Sequence, residues 1–311
     1  MLKLIANVTA LLMLIPPLAV AVAALGRLDH RAADLLVHFT APALIATLGL
    51  TLGLLILRLY PAATIGGLVS LALLVANWPQ WVPPKTAPDS HESFSVYSAN
   101  LWVYNQDMKA LARSIDRADA DILILVELGA TGREQADQLF ADYPYRLYAG
   151  RGDHPAKSAI LSRYPLSPVE GPKHRETVSA IAQTPLGPVT LIGAHLTRPW
   201  PYQPQANQMK QVDQLTELRR TLSGPLIMAG DFNAVSHGRI GRQIKQDMGL
   251  IPAPALLGTF PRKVLSLFGI TIDQVWHTPD LSLISRSLGL PNGSDHRSVI
   301  TRFSRAAPPQ P

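Results

Sequence analysis

PLIMAGDFN, residues 225–233, reads as an apolar strand that ends in an acid and an amide. Leu226, Ile227 and Met228 suit a buried strand. Gly230, Asp231 and Asn233 then supply turn chemistry. The same pattern recurs on both sides of this stretch. DILILV (121–126) is followed directly by Glu127, and LIGA (191–194) by His195. Asp273 interrupts the apolar run GITIDQVW (269–276), and Asp295-His296 stands just ahead of RSVI (297–300).

Strand ends on one edge of a sheet can converge on a common site. A buried carboxylate is costly unless it is paired or bound to a cation. Acidic oxygens, amide oxygens and imidazoles together suit a hard divalent cation and phosphoryl chemistry. Taken singly, each residue has a simpler reading. Glu127 would cap a following helix, Asn100 would sit in a turn and His195 would be a core histidine. Asp231 with Asn233 would form an Asx-turn, Asp273 would be an edge-strand charge, and Asp295-His296 would cap a helix. Their joint occurrence in this order weighs against those readings.

Around these positions strands and helices alternate. Strands are expected at Phe94–Ser98, Asp121–Val126, Ser158–Leu161, Thr177–Ala182, Val189–Ala194, Pro225–Ala229, Ile272–Trp276 and Ser298–Phe303. A helix capped by Asn105 would bury Met108, Leu111, Ala112 and Ile115. Further helices are expected at Thr131–Phe140 and Gln205–Leu222. His174, His237 and His277 read as surface residues, and Arg151-Gly152-Asp153 as a chance loop tripeptide. There is no glycine-rich nucleotide fingerprint.

The chain has 311 residues, more than the ~100–200 of one typical domain. Hydrophobic residues make up 47% and charged residues 16%, which excludes a disordered chain. There is no cysteine, so disulfides, thiolate metal sites and a cysteine nucleophile are excluded. Residues 1–84 hold only six charged side chains: Lys3, Arg27, Asp29, Arg31, Asp34 and Arg58. The remainder therefore carries 24 Lys+Arg against 20 Asp+Glu, from totals of 28 and 22. That +4 balance tolerates an anionic substrate but is too small to imply nucleic-acid binding.

Three apolar runs, 4–25, 35–57 and 62–82, are each long enough for a helix across a ~30 Å bilayer core, and Trp78 and Trp81 suit the headgroup zone. Lys3, the first run and Ala19-Val20-Ala21 also resemble a signal peptide; an uncleaved first helix is expected. Residues 1–82 thus read as a membrane anchor of three transmembrane helices, 83–92 as a Pro-rich linker, 93–304 as a catalytic α/β domain and 305–311 as a disordered tail. Arg27 and Arg31 in the first loop would favour its cytoplasmic placement, whereas Lys3, Arg58 and the amino terminus pull the opposite way.

The set Ser98-Ala99-Asn100, Val126-Glu127, Ala159–Arg163, Gly193–Leu196, Gly230–Asn233, Thr271–Asp273 and Gly293–His296 resembles the endonuclease/exonuclease/phosphatase superfamily over about residues 93–304. GDFN and SDH are specific together because their order and spacing match. Three membrane helices ahead of such a domain look like a bacterial membrane-bound branch that includes proteins related to a teicoplanin-resistance protein. The resemblance implies a four-layer α/β sandwich, with two mixed β-sheets flanked by helices and the site at one rim. It implies Glu127 as the main Mg²⁺ carboxylate, with Asn100 beside it and Asp295 near. Asp231 and Asn233 would orient the attacking water and the phosphate. His296, positioned by Asp273, would be the catalytic imidazole at that water. His195 would contact the phosphate and protonate the leaving oxygen. Trp102 departs from the pattern where many members carry a second polar residue, and Gln274 where histidine or tyrosine is common.

The expected function is a membrane-tethered, Mg²⁺-dependent phosphoesterase, with Mn²⁺ as a substitute. Its substrate would be nucleic acid or a lipid (pyro)phosphate. The alternative is a non-catalytic membrane-anchored binding module that retains the fold. An amino terminus inside, an odd number of spans and the related branch all place the domain outside the cytoplasm.

Overall fold

A computed structural model describes residues 1–82, 92–149, 157–170, 176–199 and 204–307. The expected linker lies almost wholly outside them, as do His174 and Arg151-Gly152-Asp153.

Before the first strand come five helices: α1 (Leu2–Met13), α2 (Ile15–Leu25), α3 (Arg31–Val37), α4 (Thr40–Ile56) and α5 (Tyr60–Trp81). After them, β1 (Phe94–Asn100), α6 (Met108–Ala118), β2 (Ile122–Val126), α7 (Ala130–Glu134), α8 (Ala136–Leu139), β3 (Tyr145–Tyr148), β4 (Ala159–Ser162), β5 (Leu166–Pro168), β6 (Thr177–Thr184) and β7 (Gly187–His195) follow. The chain continues with α9 (Gln205–Thr221), β8 (Leu226–Asp231), α10 (Arg239–Met248), β9 (Ile251–Pro252), β10 (Asp273–His277), β11 (Leu281–Leu288) and β12 (Val299–Arg305).

Among the described residues the strands form two sheets, β11-β12-β1-β2-β4-β3 and β5-β6-β7-β8-β10-β9. Each is mixed: β1 and β2 run parallel, as do β7 and β8, and their other partners are antiparallel. The continuous apolar run of β2 is explained by burial of all its residues. One of its faces packs Ile122 and Ile124 with Val178, Leu191, Ile227 and Val275 of the facing sheet. The other packs Leu123 and Leu125 with Leu111 and Ile115 of α6. The second sheet likewise buries Ile192 and Met228 under Val212, Leu215 and Ile244 of α9 and α10. The result is the expected four-layer sandwich, helix–sheet–sheet–helix.

Several local expectations change. α6 is capped by Asp107, whose carboxylate accepts the Ala110 N–H at 2.9 Å. Asn105 instead accepts the Asp107 N–H and donates to the Asn292 carbonyl. The expected helix over 131–140 is two short pieces, α7 and α8. The terminal strand runs through Arg305, and the Ala306 N–H donates to the Asp280 carbonyl, so order persists past the expected start of the tail. His237 and His277, expected at the surface, are buried.

Leu2–Leu25 and α5 are each long and apolar enough to cross a membrane, and α3 with α4 make a third stretch only if counted together across a 58° bend. The expected straight span at 35–57 is therefore broken, and Pro42 explains why. In a continuous helix its ring would clash with the His38 carbonyl, and it has no N–H to offer. The break frees α3 to dock on the sandwich. Asp34, only 2% exposed, accepts the Arg239 N–H at 2.7 Å and the Gln205 Nε2 at 2.5 Å. It thus caps α10 from outside that helix's own sequence. Gly238 makes room, since a Cβ there would lie 2.9 Å from the Asp34 Oδ1. From the end of α5, Gln80 donates to the Ala255 carbonyl and to Thr271. The 26–39 segment with α3 and the end of α5 therefore sit on the sandwich side, while Lys3 and Arg58 lie at the far ends of their helices.

His237 belongs to the same contact. The Thr40 hydroxyl gives its proton to the Val37 carbonyl at 3.0 Å, so His237 Nε2 must be the donor in its 2.8 Å bond to Thr40 Oγ1. His237 Nδ1 is buried with no hydrogen-bond partner among the described residues. Burial, with Lys245 nearby, pushes the imidazole down from 6.5 to about 3. Below the unfolded value the unfolded chain gains a proton that the folded chain refuses. Stability should then fall as pH drops, by about 1.4 kcal/mol per pH unit from this group. Melting curves of full-length protein at pH about 7 and about 5 check this: His237→Asn should flatten the acid-side fall, and an unchanged slope would contradict it.

Candidate active site and metal centre

The two parallel strand pairs bring their carboxyl ends to one rim. In the second sheet His195 is in register with Asp231, and Asp231 stands directly opposite Asp273. Gly230, at φ 140°, permits that approach, because a Cβ would come 2.1 Å from the Ala194 carbonyl oxygen. In the first sheet Asn100 ends β1 and Glu127 follows β2. Glu127 has φ 53° and Asn233 φ 47°. A left-handed glutamate is strained, which points to a side chain kept for its position.

Asn100 ties the sheets together. Its Nδ2 donates to Glu127 Oε1 at 3.0 Å and to Asp231 Oδ2 at 3.1 Å. Its amide oxygen, expected as a cation ligand, accepts the Trp102 N–H at 2.9 Å. The Trp102 N–H takes one of that oxygen's two lone pairs, while Nδ2 holds the two carboxylates together. His195 Nε2 lies 3.5 Å from Glu127 Oε1 and 3.9 Å from Asp231 Oδ2. Glu127, His195 and Asp231 bring one ligand atom each within 4.8 Å of one another, a set that could hold a metal ion. Asp231, Asp273 and His296 form a second such set, fully buried. The donors suit a hard divalent cation, and one of them is orphaned: Asp273 Oδ1 is buried with no hydrogen-bond partner among the described residues. Asp295 lines the same pocket but belongs to neither set.

His296 Nδ1 donates to Asp273 Oδ2 at 2.9 Å, and its Nε2 lies 3.9 Å from Asp231 Oδ2. Burial opposes the imidazolium, but the charge and hydrogen bond of Asp273, with Asp231 and Asp295, push it up to about 10. Asp231 moves up from the carboxylate range because it is buried and faces Asp273. Asn233 closes the turn, its N–H donating to Asp231 Oδ1 at 2.8 Å and its Nδ2 to the Leu196 carbonyl at 2.9 Å.

These groups surround a pocket of about 400 Å³. Asn100 and Asp273 stand behind it; Glu127, His195, Asp231, Asn233, Asp295 and His296 line it. Residues not anticipated from sequence join them. Glu176 Oε2 lies 3.6 Å from His195 Nδ1. The Phe260 ring tilts over His296 with centroids 4.7 Å apart. Trp102 and Tyr104, edge to face at 6.0 Å, form an aromatic wall. Arg198 adds a cation. Glu176 and Phe260 gave no signal, since neither follows an apolar run. Trp102 stood out only as a departure.

Replacing Glu127 with glycine relieves the left-handed strain, worth ~1–2 kcal/mol, and removes a charge beside Asp231. The hydrogen bonds lost from this part-exposed carboxylate can pass to water. Glu127→Gly should melt no lower than wild type while losing divalent-cation binding. A clear drop in melting temperature would mean that Glu127 serves the fold.

The Endonuclease/Exonuclease/phosphatase family model matches residues 97–296. No curated protein sequence matches the chain. The fold is similar to an endonuclease/exonuclease/phosphatase from Beutenbergia cavernae (TM-score 0.57, 18% identity, 70% of this chain and 72% of that one). It is also similar to the endonuclease domain of TRAS1, a telomere-specific non-LTR retrotransposon (TM-score 0.52, 18% identity, 68% and 99% covered). A third is sphingomyelinase C from Streptomyces griseocarneus (TM-score 0.52, 15% identity, 68% and 99% covered). With the two-sheet sandwich and the acid–histidine rim in place, the model's reach over most of the chain decides the matter: this protein belongs to the endonuclease/exonuclease/phosphatase family.

Proposed function

We propose that this protein is a membrane-tethered, divalent-metal-dependent phosphoesterase, with Mg²⁺ or Mn²⁺ as the metal. The observation that carries this reading is the meeting of Glu127, His195, Asp231 and His296 at one pocket from separate strands and loops.

Glu127 would hold the cation, with Asp231 within reach. A bound cation supplies positive charge to the phosphoryl oxygens. The chain's own groups do the rest. Asp231, which lines the pocket, takes the proton of the attacking water; the Asn233 N–H fixes its other oxygen. His296, held as imidazolium, bonds a phosphoryl oxygen through Nε2. This differs from the role at the attacking water expected from sequence: with Nδ1 on Asp273 and Nε2 towards Asp231, the ring sits between two carboxylates that favour its charged form. Asp273 fixes its ring through Nδ1. His195 gives a proton to the leaving oxygen as the old P–O bond breaks. Trp102, Tyr104 and Phe260 narrow access for water.

The placement of the domain is part of the same proposal. It sits at the opposite end of the helical region from Lys3 and Arg58. In the first loop, Arg31 donates to the Pro199 carbonyl and Asp29 pairs with Arg239, so these charges serve docking. Lys3 and Arg58 then mark the cytoplasmic side, and the domain lies outside it.

The test is turnover of bis-p-nitrophenyl phosphate by full-length protein in detergent. EDTA should abolish it and Mg²⁺ restore it. His195→Gln and His296→Gln should each lower kcat by about 10²–10⁴ without loss of fold. Full activity in chelator, or in both histidine variants, would contradict the mechanism. Absence of turnover under every condition would favour the binding-module reading.

A further inference from the structure

The stretch between β9 and β10 is the least ordinary surface of the catalytic domain. Leu256, Leu257, Val264, Leu265, Leu267 and Phe268 are all exposed there, Leu265 by 72%. Soluble surfaces seldom gather large apolar side chains into one patch. The inner edge of the same segment is bound to the catalytic machinery. Phe260 lies against the His296 ring, and Thr259 Oγ1 accepts the Asp273 N–H at 3.2 Å. Arg262 donates from its backbone to the Asp295 carbonyl at 2.7 Å and from Nε to the Ser294 carbonyl at 2.6 Å. Arg297, next to His296, donates to the Arg262 carbonyl at 2.8 Å and to the Val264 carbonyl at 2.5 Å. One side of the segment therefore positions His296 and its neighbours, and the other presents leucines.

What covers those leucines follows from the neighbouring helices. The 3₁₀ turn Ser266–Phe268 contacts α4. Phe268 also lines an apolar crevice of about 630 Å³ with residues of α1, α2, α3 and α4, those of α4 running from Pro42 to Leu50. That stretch of α4 is roughly 12 Å long at about 1.5 Å per residue. The exposed patch is thus continuous with the apolar surface of the candidate spans, and it begins where α4 leaves the domain. Lys263, in the same segment, suits the phosphate level of a bilayer.

On the basis of the phosphoesterase reading above, we infer that the 256–268 segment enters the outer layer of the bilayer, and that the substrate is a lipid phosphoester taken from that layer. The pocket wall bearing Phe260 is then held at the interface. The phosphate head reaches His296 and Asp231 while the apolar tail stays beside Phe268 and the crevice. A nucleic acid would have to approach the same mouth against the membrane, towards a domain of nearly balanced charge.

The absence of cysteine allows a single label. Full-length Leu265→Cys carrying a nitroxide, in phosphatidylcholine nanodiscs, should be relaxed by oxygen and shielded from an aqueous nickel chelate. Free access of the chelate would overturn membrane entry. A second arm places phosphatidic acid, phosphatidylglycerol or a polyprenyl diphosphate in the nanodisc, with bis-p-nitrophenyl phosphate and a DNA oligonucleotide in solution. Wild type should hydrolyse at least one lipid. Leu265→Asp with Leu267→Asp should slow lipid hydrolysis about tenfold or more and leave the soluble ester unchanged. Equal loss on both substrates would assign the segment a structural role and overturn the proposal. Turnover of the soluble ester or oligonucleotide with no lipid hydrolysed would overturn the lipid class and leave the phosphoesterase reading standing. No turnover of anything would remove that reading itself.

Discussion

Two carboxylates that face each other across β8 and β10 govern this site. Asp231 and Asp273 are 2% and 1% exposed, and their strands pair them directly. Like charges in a dry interior cannot both stay ionised without compensation. The surrounding residues read as answers to that constraint. His296 is drawn onto Asp273 and held charged; Asn100 brings an amide N–H to Asp231; the Asn233 N–H takes the remaining oxygen. Glu127 adds another negative group on strained backbone. A fold does not concentrate such charge for stability, and a divalent cation is the simplest counterweight.

The amino-terminal helices belong to the same arrangement. His38 Nε2 bonds the Asn233 carbonyl at 3.2 Å, which makes the turn carrying Asp231 and Asn233 partly dependent on α3. Asp34 caps α10, and Gln80 reaches Thr271, two residues before Asp273. The amino-terminal region is therefore a structural partner of the candidate site and not a loose leash. It also fixes which face of the sandwich meets the helices, and so brings the 256–268 segment beside α4.

The sequence was most legible where one strand carried both structure and chemistry. DILILV then Glu127, LIGA then His195 and PLIMAG then Asp231 each announced a buried strand with a polar end. Burial on both faces and convergence at the rim follow from that pattern. Legibility failed where the partner lies far along the chain. α10 has no capping residue of its own, because its cap is Asp34, some two hundred positions earlier. His237 looked like a surface histidine because nothing local shows that Thr40 covers it. Glu176 reaches His195 only through a tertiary contact. The second apolar run looked like one straight span until Pro42 and the docking of α3 imposed a bend. β11, LSLISRSL, alternates too weakly to be seen as a strand.

Everything proposed for this site turns on Glu127 and Asp231 holding a divalent cation. Calorimetric titration of Mn²⁺ into EDTA-stripped full-length protein tests it without any assumption about substrate. The account predicts saturable binding that is lost or strongly weakened in Asp231→Asn. No saturable binding in wild type, or equal binding in Asp231→Asn, would contradict it.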